Sequence, residues 1–142
     1  MILFFDTSAL IKRYISERGS DKVDELFDIA TQIFVSAITK TESHSTLRRL
    51  RSEHHLTTRE YKALKSNIED DFKYFVSIPF TYEIESSAIK LIERHQLKTL
   101  DSIQLATAIY CKLIIDNVVA ADFKLIKSAN SEKLKTINPT EK

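Results

Sequence analysis

Asp6, Glu42, Asp101 and Asp122 are the side chains of this sequence best placed to do chemistry. Asp6 ends the apolar run Ile2-Leu3-Phe4-Phe5, and Asp122 follows the run Val118-Val119-Ala120-Ala121. Glu42 falls in the first turn of a helix predicted after a short strand at Ile33-Phe34-Val35, and Asp101 in the first turn of a helix predicted after Thr99. Each acid also has a plain structural use. Asp6 can be a turn residue, Thr39-Lys40-Thr41-Glu42 fits a capping box, Asp101 is favoured by the helix dipole, and Asp122 can be an N-cap. Taken together, however, three of the acids end a strand or begin the helix directly after one, points that α/β connection rules bring to one edge of a sheet, where ligands bind. Carboxylates converging there would repel one another in a partly dehydrated cleft and raise the pKa of at least one. A hard divalent ion is the natural compensation; Mg²⁺ or Mn²⁺ takes oxygen ligands, keeps several waters and shares itself with phosphate oxygens. Helix N-termini aimed at the same cleft suit an anionic substrate.

The elements that must carry these acids follow from the periodicity. Ile2 to Phe5 is too short for a useful helix and predicts a strand buried on both faces. Thr7 and Ser8 can cap a helix over Ala9 to Ile15, with Leu10, Ile11, Tyr14 and Ile15 as its stripe. The chain's one glycine lies in a break, Glu17-Arg18-Gly19-Ser20, after which Ser20 can cap a helix bearing Val23, Leu26, Phe27 and Ala30. Further helices are predicted over Thr39 to Glu53, Thr57 to Phe75, Thr81 to His95, Leu100 to Leu113 and Asp122 to Ala129. Short strands are predicted at Val76 to Pro79, near Asn117 to Ala121, and at Leu134 to Ile137. Strands separated by helices imply a parallel sheet covered on both faces.

A length of 142 residues predicts one domain over 1–142, large enough for a real core. With 43% hydrophobic and 29% charged residues the composition is that of an ordered globular chain, and one glycine with two prolines leaves little material for tight hairpins. A net charge of +1 argues against coating nucleic acid by bulk electrostatics, so any such contact must be local. Between Lys40 and Lys65, seven basic residues (Lys40, Arg48, Arg49, Arg51, Arg59, Lys62, Lys65) stand against three acids (Glu42, Glu53, Glu60). They suit phosphate steering, and equally a solvated helix face or a docking surface for an acidic partner.

Other chemistries find little support. Cys111 stands alone in an apolar helical stretch, which excludes a disulfide framework, suggests a reducing compartment and makes a poor nucleophile. His44, His54, His55 and His95 lack zinc-site spacing and read as polar surface positions. One glycine cannot make a phosphate-binding glycine loop, and Ser8 stands where an aspartyl-nucleophile phosphatase would carry a second Asp. No apolar run approaches the roughly 18 residues of a membrane span, and no basic region precedes the first apolar run as in an export signal. The expected location is the cytoplasm.

Four ordered blocks then carry a resemblance. FFDTSALIKRYISERGS, SAITKTESHSTLRRL, LKTLDSIQLATAIY and NVVAADFKLIKSA with the following KLKTINP resemble the PIN-domain family, specifically the VapC-type toxins of toxin–antitoxin systems, over nearly the full length. The resemblance implies a three-layer α/β/α sandwich with a central parallel sheet of four to five strands. It also implies an endoribonuclease dependent on Mg²⁺ (or Mn²⁺), with Asp6, Glu42, Asp101 and Asp122 as the catalytic, metal-holding acids. Such toxins form homodimers and are silenced by a small cognate antitoxin protein. The chain departs from the pattern at Ala120, where Thr or Ser is common, at Gln104, where His is common, and at Lys98, where Arg is common.

The expected reaction is hydrolysis of RNA phosphodiester bonds by a carboxylate-bound, metal-activated water, leaving 5′-phosphate and 3′-hydroxyl ends. Asp6, Asp101 and Asp122 would hold one metal, Glu42 would complete the site or position a second ion, and Ser8 would act in support. The alternative is a catalytically weak PIN-fold module that binds a protein partner or RNA. A structure-specific DNA nuclease of the wider fold fits less well, because such enzymes usually carry more acids and helical arches.

Overall fold

The computed structural model describes residues 1–141. Its five strands are β1 (Ile2–Phe5), β2 (Gln32–Ser36), β3 (Val76–Ile78), β4 (Asn117–Val119) and β5 (Thr136–Ile137). They form one parallel sheet in the order β3-β2-β1-β4-β5. The helices are α1 (Thr7–Leu10, continued by a 3-10 turn at Ile11–Arg13), α2 (Ser20–Ile29), α3 (Thr39–Glu53), α4 (Thr58–Phe72), α5 (Tyr82–His95), α6 (Thr99–Tyr110) and α7 (Phe123–Ser131).

The apolar first strand lies at the centre because it is buried on both faces. Leu3 and Phe5 join Ile33, Val35 and Val119 under α1 to α4, where Leu10, Val23, Leu26, Leu47 and Ile68 complete one core. Phe4 points the other way, with Phe34 and Val118, into a second core closed by Ile84, Leu91, Leu105 and Leu125 of α5, α6 and α7. Period-two alternation in β1 thus serves two layers at once, giving the α/β/α sandwich. Each such fully buried side chain contributes about 1.5–3 kcal/mol, against about 1 kcal/mol for a typical helix cap.

Residue Phe4 pairs with Phe34 on one side and Val118 on the other, and Phe5 pairs with Val119. The carboxyl ends of β1, β2 and β4 are therefore level. The chain runs outward from β1 through β2 to β3 and then returns to place β4 on the opposite side of β1. The order reverses between β1 and β4, which makes the carboxyl end of β1 the switch point of the sheet.

Several local details differ from the sequence expectation. Asp6, not Thr7 or Ser8, caps α1: it is extended (φ −75°, ψ 152°) and its side chain accepts from the Ser8 amide. Gly19 caps α2 at φ +94°, a left-handed conformation that other residues rarely adopt, while Ser20 Oγ accepts from the Glu17 amide and donates to the Ile15 carbonyl. A Cβ at position 19 would also lie 3.1 Å from the Pro139 backbone. Lys98 occupies the cap position of α6, with Thr99 already helical. The Thr39–Glu42 capping box is absent, and the same four-residue pattern forms a complete box at Thr57–Glu60. Helix α4 ends at Phe72 and α6 at Tyr110, each about a turn earlier than the apolar stripe suggested. No helix of the described residues is long and apolar enough to cross a membrane.

Candidate active site

At the switch point of the sheet lies a cavity of about 350 Å³. Asp6, Glu42, Asp101 and Asp122 all line it, together with Thr7, Ser8, Glu17, Thr46 and Arg49. The four acids reach it from four elements. Asp6 follows β1, Glu42 is in the first turn of α3, Asp101 in the first turn of α6, and Asp122 caps α7 just after β4.

Asp6 is 4% exposed. Burial pushes its pKa up from 3.8 to about 7; hydrogen bonds from Ser8 oppose the rise, and the like charges of Glu42 and Asp101 add to it. The Ser8 amide donates to Asp6 Oδ2 at 3.1 Å, and the Ser8 hydroxyl donates to the same oxygen. That hydroxyl also accepts from the Ala121 amide at 3.0 Å, so Ser8 links the ends of β1 and β4.

Burial likewise raises the pKa of Asp101, helped by Asp122 and Glu42 and opposed by Lys98 and Lys124. Asp122 is exposed, and its Oδ1 accepts from the Leu125 amide at 2.8 Å, so the N-cap use expected of it is real and leaves Oδ2 outside that bond. Glu42 Oε1 accepts from Thr7 Oγ1 at 2.8 Å and from Gln104 Nε2 at 2.8 Å. These donors explain why Glu42 does not reach back to cap its own helix.

The charge balance fits a divalent cation. Burial, with the neighbouring carboxylates adding to it, raises the pKa of Asp6 and Asp101, and among the described residues Arg49 is the one basic side chain on the cavity lining. Among the described residues no three Asp, Glu, His or Cys side chains close into a ready-made metal cage. Mg²⁺ does not require one, since it keeps several waters and uses one or two carboxylates with substrate phosphates. The donor set, all hard oxygens and no nitrogen or sulfur, suits Mg²⁺ or Mn²⁺ over zinc.

Sequence reasoning missed Thr46 on the lining. Thr46 lies four positions beyond Glu42 on α3, and Arg49, one of the cations expected to grip phosphate, lies seven beyond, a helical spacing that puts both on the face of Glu42. Of the other cations expected to grip phosphate, Lys40 pairs with Glu69 at 2.7 Å, while Arg51 and Lys65 lie over the Tyr61 ring. Cys111 is buried and its thiol pKa is pushed up by that burial, in keeping with an inert side chain. His44 and His95 pair with Glu69 and Glu132, at 3.0 and 2.7 Å.

A model of the PIN domain matches residues 3–135, and the chain belongs to that family. It is 27% identical to ribonuclease VapC45 of Mycobacterium tuberculosis (strain CDC 1551 / Oshkosh) over 108 residues, 76% of this chain and 75% of that one. The fold is similar to that of a toxin–antitoxin complex from Klebsiella pneumoniae (TM-score 0.69, 21% identity, 99% of each chain). It is also similar to FitAcB from Neisseria gonorrhoeae (TM-score 0.70, 19% identity, 98% of each chain).

Proposed function

We propose that this protein is a Mg²⁺- or Mn²⁺-dependent endoribonuclease, the toxin of a toxin–antitoxin pair, with residues 1–142 as one PIN-like domain. The observation that carries the reading is the convergence of Asp6, Glu42, Asp101 and Asp122 on one cavity at the sheet's switch point. Membership of the PIN family and similarity to a ribonuclease favour RNA as the substrate.

Asp6, Asp101 and Asp122 would hold the ion, with Glu42 completing the site. When bound, the ion supplies Lewis-acid polarisation of a phosphate oxygen and acidifies water. The chain's own residues do the rest. Ser8 holds Asp6 in place through two hydrogen bonds to one carboxylate oxygen. Lys98 and Lys124 partly offset the charge at Asp101. The products carry 5′-phosphate and 3′-hydroxyl ends.

The partners follow from the same reading. The Klebsiella neighbour is a toxin–antitoxin complex, which supports a small cognate antitoxin for this chain; the homodimeric toxin follows from the family resemblance alone. The lone, buried Cys111 suits the reducing cytoplasm.

The test is incubation of the purified protein with total RNA, with Mn²⁺ or with chelator, beside Asp101→Asn. Cleavage by the parent with Mn²⁺, abolished by chelator and reduced about 100-fold or more in the variant, is expected. No Mn²⁺ binding and no cleavage would leave a PIN-fold binding module instead.

A further inference from the structure

Gln104 is 1% exposed, and its hydrogen bonding is lopsided. Nε2 lies 2.8 Å from Glu42 Oε1, 3.1 Å from Thr7 Oγ1 and 3.0 Å from Thr39 Oγ1. Oε1 accepts no hydrogen bond among the described residues. Two N–H bonds therefore serve three acceptors while the carbonyl end meets no protein donor among the described residues. Charge fixes this orientation of the amide: turned over, it would set a carbonyl oxygen against a carboxylate oxygen at the same 2.8 Å.

A buried carbonyl without a partner costs about 1–3 kcal/mol. Packing alone does not account for Gln at this position, since Leu or Met would fill a similar space without that loss. What the amide secures is Glu42. Oε1 of Glu42 receives both the Thr7 hydroxyl and the Gln104 amide, one from α1 and one from α6. Oε2 accepts no hydrogen bond among the described residues, and Glu42 lines the acid cavity. The carboxylate thus meets the cavity with one oxygen occupied and one available, and the side chain of Gln104 ties together α1, α3 and α6 around it.

We propose that Gln104 is a positioning residue, which holds Glu42 so that its Oε2 alone is offered to a divalent cation in the cavity. The inference rests on the reading of that cavity as a Mg²⁺ or Mn²⁺ site.

The experiment is Mn²⁺ binding by titration calorimetry, with thermal melts, on the metal-free full chain. The parent is compared with Gln104→Leu and Gln104→Met, each made also in a Glu42→Gln background. Loss of a hydrogen-bond partner of a ligand typically weakens metal binding 10- to 100-fold, and both variants are expected to show about that loss. Their metal-free Tm is read alongside, because removal of the unpaired carbonyl and loss of the donor shared by Glu42, Thr7 and Thr39 act in opposite directions. With Glu42→Gln present, the same changes shift affinity by less than about twofold, since the residue through which they act no longer carries charge. Gln104→His, which keeps an N–H donor, recovers most of the parent affinity. Unchanged Mn²⁺ affinity with a lowered Tm in both variants would make the amide purely structural and overturn the proposal. Equal weakening in both backgrounds would also overturn it, by showing that Gln104 acts elsewhere. A parent chain that binds no Mn²⁺ would overturn the reading of the cavity itself, and this inference with it.

Discussion

Ser8 sits on Asp6 twice, through its amide at 3.1 Å and through its hydroxyl, and that hydroxyl is also the acceptor for the Ala121 amide. One side chain therefore stabilises the charged form of a buried carboxylate and satisfies a backbone donor from β4's far end. Ser8→Ala removes both. Leaving the Ala121 N–H unpaired is expected to lower stability by about 1–3 kcal/mol, read as a lower midpoint in urea. The pH at which Mn²⁺ begins to bind moves upward, because Asp6 then needs more alkaline conditions to ionise. A variant with parent stability and parent Mn²⁺ binding would remove Ser8 from any supporting role.

Asp6 itself sets the pH dependence of the metal-free protein. With a folded pKa of about 7 against 3.8, the native state binds more protons than the unfolded chain between these values. Stability from this group therefore falls as pH rises from about 4 to 7 and is level above that. Asp6→Asn keeps an acceptor for the Ser8 amide and removes the charge, so its Tm above pH 7 is expected to exceed the parent's and its slope between pH 4 and 7 to be flatter. Differential melting curves across that range check both points; a variant much less stable than the parent at pH 8 would contradict them.

Asp122 holds two jobs that substitution can separate. Its Oδ1 caps α7 through the Leu125 amide, and it adds to the charge around Asp101. Asp122→Asn keeps the cap and is expected to retain Tm while weakening Mn²⁺ binding. Asp122→Ala loses both, with about 1 kcal/mol of additional destabilisation. If Asn and Ala variants bind Mn²⁺ as tightly as the parent, only the cap is left.

Away from the cavity, Asp71 accepts from Arg13 Nε and from Tyr14 Oη, each at 2.8 Å, and joins the segment after α1 to α4. The Tyr14 hydroxyl is buried, and its pKa is driven upward by that burial and by Asp71. Asp71→Ala is expected to lower stability by about 1–3 kcal/mol while Mn²⁺ affinity stays at the parent value. Loss of Mn²⁺ binding in a folded Asp71→Ala would show that this contact reaches the cavity.

The fold was legible because its decisive signals are local and strong. Four apolar residues ending in Asp6 read as an inner strand, and α/β connection rules then brought Glu42 and Asp122 to the same edge, while Asp101, on a helix that follows another helix, was carried by the family resemblance. What stayed hidden depends on distant partners. Thr39–Glu42 and Thr57–Glu60 have the same Thr-x-x-Glu pattern, yet only the second forms a capping box. The difference lies in Thr7 and Gln104, far away in sequence, which take the Glu42 carboxylate for themselves. No local rule could have separated the two. The roles of Gln104 and Ser8 as links between elements were unreadable for the same reason, although the one-turn spacing from Asp101 placed Gln104 on the right face.

The reversal of strand order between β1 and β4 also sets when the cavity can exist. Asp6 is synthesised well before Asp122, and the wall supplied by β4, with the Ala121 amide that seats Ser8, comes with that later segment. A nascent chain carrying Asp6, Glu42 and Asp101 still lacks one side of the pocket. The four acids can therefore meet only in a chain made through Asp122, and a product that stops before β4 lacks the complete pocket.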